Sequence, residues 1–124
     1  MSLKALGERL VAANRDDTIE ELLKNDYAAD AVSVEAMTMD PARSRETAGL
    51  DGIRAKHAWW NDNMQTRAMV VEGPFLHGDD RFAVIFKGEA VSKQSGETMP
   101  LHEVAIYTAK DGKIVREEFY SAMS

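Results

Sequence analysis

The period of the apolar residues changes about halfway along the chain. Before residue 65 they recur at helical spacing, and after it they alternate. Leu3, Leu6, Leu10 and Val11 predict an amphipathic helix. Residues 14–17, Asn-Arg-Asp-Asp, interrupt that pattern. Asp17, followed three residues later by Glu20, resembles a capping box and opens a second helix with Ile19, Leu22 and Leu23 on one face. Ala31-Val-Ser-Val-Glu35 alternates and predicts a short strand. Residues 36–49 form a polar loop with Pro41, Arg43, Arg45 and Glu46, long enough to serve as a rim or lid, and Met37 and Met39 read as pliable rim residues or as core. Residues 50–64 predict a third helix, with Leu50, Ile53, His57, Trp60 and Met64 on one stripe and Lys56, Trp59 and Asn63 off it.

Beyond residue 65 the chain predicts four strands, 66–76, 81–92, 98–109 and 113–121, in an antiparallel meander. Helices first and strands after imply an α+β domain with the helices on one sheet face. Asp111-Gly112 is the strongest turn signal, because both positions tolerate positive φ. A two-residue turn there sets Ala105 opposite Glu118 and Glu103 opposite Tyr120. One face then carries Leu101, Glu103, Ala105, Tyr107, Ile114, Arg116, Glu118 and Tyr120. The other carries His102, Val104, Ile106, Thr108, Val115, Glu117 and Phe119. The first face continues into Met69, Val71, Phe75, Phe82, Val84 and Phe86, so it is expected to look inward. The second continues into Glu72, Arg81, Lys87 and Glu89 and is expected to look out. One residue of slip would invert the assignment.

At 124 residues the chain suits one domain with a modest core, spanning 1–124. Its net charge of −6 argues against nucleic acid as the main partner, since phosphate binding needs clustered Lys and Arg. There is no apolar run of membrane-spanning length and no signal-peptide core, so a cytoplasmic location is the default expectation. With no cysteine, thiolate nucleophiles, disulfides and Cys-based zinc sites are excluded. No metal-ligand spacing, phosphate loop or Ser-His-Asp order is present, and no cofactor is expected.

The expected inner face holds the candidate chemistry. A carboxylate buried there without a partner has its pKa raised, so these groups either pair with one another or line a solvated pocket. Glu103, mid-strand among apolar neighbours, reads as a general base on a carbon acid, or as a structural hydrogen-bond partner of Tyr120, Arg116 or a helix group. His57 is an orienting partner for that base, or a satisfied core histidine. Tyr120 and Tyr107 are donors to an oxyanion, or amphipathic core residues. Arg116 and Glu118 are pocket residues, or a salt bridge. Trp60 and Phe86 would wall the pocket, and Tyr27 is a further pocket donor.

The order of elements resembles the SnoaL-like branch of the NTF2-like superfamily. Tyr27-Ala-Ala-Asp-Ala-Val-Ser-Val34, Gly49-Leu-Asp-Gly-Ile53 with His57-Ala-Trp-Trp60, and Glu103-Val-Ala-Ile-Tyr-Thr-Ala-Lys-Asp-Gly-Lys-Ile-Val115 carry the resemblance. It implies a cone-shaped α+β fold, a curved sheet wrapped by helices around a pocket. It also implies a small-molecule ligand and a homodimer through the outer sheet face, here Ile85, Val104, Ile106, Val115 and Phe119. Members include polyketide cyclases, ketosteroid-isomerase-like enzymes, dehydratases and binding proteins without catalysis. Catalytic members use a pocket Asp, Glu or His as base, with Tyr or a protonated acid donating to an enolate oxygen. The resemblance implies cofactor-free isomerisation, cyclisation or dehydration of a small apolar carbonyl compound, or a binding or oligomerisation role. Many relatives place an Asp near the end of the last strand, where this chain has Glu117-Glu-Phe-Tyr-Ser121.

Overall fold

The structure, a computed structural model, describes residues 1–38, 42 and 44–122. Helix α1 spans Leu3–Asp16, α2 spans Ile19–Asp26 and α3 spans Leu50–Asn63. The Ser2 hydroxyl accepts from the Ala5 N–H at 3.1 Å and satisfies an otherwise orphan donor of the first turn of α1. Asp17 does not open α2 as the capping pattern suggested. It ends α1 in the left-handed region, φ 57°, which Asp tolerates better than most residues. Thr18 precedes α2 instead.

Among the described residues six strands form one sheet in the order β2-β1-β6-β5-β4-β3. Strands β3 (Met64–His77), β4 (Arg81–Ser92), β5 (Thr98–Lys110) and β6 (Lys113–Ser121) form the expected meander. Two strands were not expected in the sheet. β1 (Tyr27–Val34) pairs parallel to β6, and β2 (Glu46–Ala48), from within the expected loop, pairs antiparallel to β1. Parallel pairing joins segments far apart in sequence and leaves no turn signal. Met39, Pro41 and Arg43 of that loop lie outside the described residues, and Met37 is exposed.

The helices cover one face of the curved sheet. Leu6, Leu10, Leu23 and Ile53 pack with Phe82, Val84, Tyr107 and Ile114 into a fully buried core. Gly7 lets α1 approach β3 closely, since a Cβ there would lie 2.6 Å from Pro74 Cβ. Two irregularities decide which side chains enter the interior. In β3, Glu72 pairs with Ile85 and Phe75 with Ala83, so Gly73 and Pro74 together oppose Val84. Phe75, expected inside, is thereby turned to the outer face and is half exposed.

The second irregularity lies in β6. Asp111 and Gly112, at φ 54° and 78°, make the expected two-residue turn, and Lys110 pairs with Lys113. Ala109 then pairs with Ile114, but Thr108 pairs with Arg116, leaving Val115 as an extra residue. Every later position of β6 is offset by one from the expected register. Tyr107 faces Glu117, Ala105 faces Phe119, and Glu103 faces Ser121. Glu117 and Phe119 are therefore inside, while Arg116, Glu118 and Tyr120 are outside.

Candidate functional site

The interior is graded along the strands. At the closed end Phe82, Tyr107 and Ile114 are buried, with the Phe82 and Tyr107 rings stacked 5.2 Å apart. Toward the other end Phe86, Glu103 and Phe119 are only half-buried, although their faces point inward. The interior is thus less tightly buried at the end where Glu103 sits.

Glu117 is the deepest charged group on the inner face, only 2 % exposed. Tyr27, at the start of β1, donates its hydroxyl to Glu117 Oε2 at 2.6 Å. The other oxygen, Oε1, is buried with no hydrogen-bond partner among the described residues. An unmatched buried polar atom costs about 1–3 kcal/mol. Burial first, then the neighbouring Glu117 and Tyr107, push the Tyr27 hydroxyl well above the ordinary phenol range. Burial, then Glu117 and Glu103, do the same to Tyr107. Both tyrosines remain protonated donors.

His57 and Lys56 approach this group from α3. Burial lowers the His57 pKa against the opposing pull of Glu117, which keeps the imidazole neutral at pH 7. The Lys56 ammonium donates at 2.6 Å to the hydroxyl of Ser33, which is fully buried beside Glu117 in the β1–β6 register. It also pairs with the Glu35 carboxylate and lies 5.5 Å from the centroid of the Phe119 ring. Glu103 stands toward the rim. Burial, then Glu35, raise its pKa, and Lys56 opposes them. At about 3.3 Å of rise per residue, the four-residue offset between the Glu103 and Glu117 levels is roughly 13 Å. Lys56, His57 and Phe119 occupy the space between.

The structure places Glu103, Tyr107 and Phe86 of the expected site on the inner sheet face, at two separate levels, with Tyr27 at the deeper one, His57 largely buried on α3 and Trp60 half-buried one turn further along the same stripe. It removes three residues. Arg116, Glu118 and Tyr120 lie on the outer face, where the Arg116 Nε donates to Glu118 Oε1 at 2.9 Å and the Tyr120 hydroxyl to Glu118 Oε2 at 3.4 Å. The Val115 bulge is the physical cause. Glu117, Lys56, Ser33, Glu35 and Phe119 were missed. The spacing of Ile114 and Phe119 was a usable signal. Two apolar residues an odd number of positions apart share a sheet face only if a bulge lies between them.

Residues 1–121 match the SnoaL-like domain family. A candidate SnoaL-like polyketide cyclase from Mesorhizobium loti is similar at 32% identity, with a TM-score of 0.86 over 97% of this chain and 99% of that one. TerC, solved as a co-crystal with polyporic acid, is similar at 26% identity, with a TM-score of 0.70 over 90% of this chain and 84% of that one. A candidate polyketide cyclase from Pseudomonas putida shares the fold at 18% identity, with a TM-score of 0.73 over 99% of this chain and 93% of that one. No curated protein sequence matches this chain. Among the described residues no helix is long and apolar enough to cross a membrane.

The raised pKa of Glu103 has a measurable cost. Its folded-state value lies above its ordinary 4.5, so the stability it contributes is complete below pH 4.5 and is lost as pH rises through the raised value. Glu103→Gln is expected to raise the melting temperature by a few degrees at pH 8 and to give no comparable gain at pH 4. The His57 contribution falls on the acid side of 6.5 and is common to both proteins, so it cancels in the difference. Thermal denaturation at the two pH values measures the effect.

Proposed function

This chain belongs to the SnoaL-like family, and we propose that it binds a small, mostly apolar carbonyl compound in the less buried end of its cone and moves a proton on it without a cofactor. The observation that carries this reading is Glu103, a half-buried carboxylate opposite Phe86 on the inner face, at the less buried end of the interior. Tyr107 is the neighbouring donor, taking the place expected of Tyr120, since the Tyr27 proton is already given to Glu117. Toward the rim, Glu103 acts as general base on a carbon next to the carbonyl, with the neutral imidazole of His57 as the second acceptor. Phe86, Phe119 and Trp60 supply apolar walls. The co-crystal of TerC with polyporic acid supports a small organic ligand. A binding module with no turnover would use the same pocket and lack the proton transfer.

Exchange in heavy water separates the two. Cyclic ketones and short acyl compounds that stabilise the protein in a thermal screen are expected to gain deuterium next to the carbonyl, read by NMR. Glu103→Gln is expected to slow that exchange by about 100-fold or more while still binding. Binding without exchange in the unmodified protein would support the binding module instead.

The reading includes a homodimer through the outer sheet face. Ile85, Val104 and Ile106 lie there, whereas Phe119 belongs to the interior and Val115 to the bulge. Phe75 and Tyr120, each about half exposed, join the face around a shallow groove of about 370 Å³ that includes Arg81 and Ile106. Ile106→Glu is expected to give a monomer in sedimentation velocity, and an unchanged dimer would contradict this interface.

A further inference from the structure

We propose that Lys56 and Glu103 together select ligands with an acidic hydroxyl, a phenol or an enol, and hold them as the anion against Lys56 while Glu103 takes the proton. The proposal rests on the reading of the cone as a ligand site and names the substrate class that the site prefers.

Lys56 reaches the inner surface from α3 with its ammonium between Ser33, Glu35 and Phe119. An ammonium has three donors. Among the described residues, Ser33 Oγ and the Glu35 carboxylate take two of them, which fixes the direction of the third. The Lys56 side chain is 26% exposed, so a ligand oxygen can reach it. The ammonium lies over the face of the Phe119 ring, a cation–π contact that helps to hold it in place. A fixed cation differs from a neutral hydroxyl donor in one respect. It favours the ionised form of whatever oxygen it meets, by about tenfold or more when the charges lie within a few ångströms.

The proton must then go somewhere. The groups that face this point are Lys56 and His57 from α3, Glu35 after β1, Glu103 and Tyr107 from β5, and Glu117 from β6. An added anion beside Glu35 and Glu117 would raise the carboxylate count of an already acidic interior. Transfer to Glu103 avoids that. The ligand O–H bond breaks, its electron pair stays on oxygen beside Lys56, and the proton bonds to a Glu103 oxygen. The charge of the cone is unchanged, and Glu103, half-buried and crowded by Glu35, is the carboxylate best placed to accept. With a carbon acid the same pair gives an enolate. The C–H proton goes to Glu103, its electron pair forms the C=C bond, and the carbonyl π pair moves to the oxygen facing Lys56.

The test uses 4-nitrophenol, whose phenolate absorbs visible light and whose phenol does not, buffered below the probe's own pKa. The unmodified protein is expected to bind it and develop the phenolate band with no net release of protons. Lys56→Gln is expected to bind the probe by equilibrium dialysis but to lower its ionisation about tenfold or more, and Lys56→Arg to restore it. Glu103→Gln is expected to keep the band and to release a proton to the buffer on binding. The exposed Lys110→Gln serves as a control with no effect. If Lys56→Gln does not fold, Glu35→Gln takes its place. It leaves the cation without its carboxylate and is expected to increase ionisation of the probe. Unchanged ionisation in Lys56→Gln, or in Glu35→Gln, overturns the inference and leaves the cone standing as a binding site. No probe binding by the unmodified protein overturns both.

Discussion

The hydrogen bond from Tyr27 to Glu117 is the contact on which the interior depends. A carboxyl group that is 2 % exposed is tolerated only where a donor meets it. Tyr27 can be that donor because β1 joins the sheet parallel to β6, with Tyr27 beside Ile114 and Ser33 beside Glu117. Glu117 can face it because one extra residue, Val115, is accommodated in β6. Without that bulge the same strand would turn the Arg116–Glu118 ion pair against Leu23, Ile53 and Phe82, where taking both charges out of water is costly. The bulge and the hydrogen bond are therefore one arrangement, and each removes the cost that the other would leave.

From that contact the site extends outward along one sheet face. Its deepest level is Glu117 with Tyr27 and Tyr107, both held as donors. The next is Lys56 between Ser33, Glu35 and Phe119. The last is Glu103. The deep end supplies rigidity, and the end at Glu103 is the less buried one. The opposite sheet face keeps its own ion pair, Arg116 with Glu118, and its exposed aromatics, Phe75 and Tyr120. A one-residue offset separates two surfaces with different chemistry.

Much of this is legible in the amino-acid sequence. The helical stripe of α3, the meander, its turns and the inward Glu103, Tyr107 and Phe86 follow from periodicity and from Asp111-Gly112. What is not legible has physical reasons. A bulge costs little locally and is marked only by the odd spacing of Ile114 and Phe119. Parallel pairing of β1 carries no turn signal. Lys56 falls off the narrow stripe of α3, yet it is one position from His57, and a stripe more than about 100° wide admits both. Asp17 fits either side of a helix junction, because an acidic residue that caps a start also tolerates the left-handed end.

The most direct test is a double-mutant cycle on Tyr27→Phe and Glu117→Gln by urea denaturation, with Glu118→Gln as the reference. A coupling energy of about 1 kcal/mol or more between Tyr27 and Glu117 is expected. Glu118→Gln alone is expected to change stability by no more than about 0.5 kcal/mol. Zero coupling, with Glu118→Gln as the costly substitution, would mean that β6 is not bulged and that its inner and outer faces are exchanged.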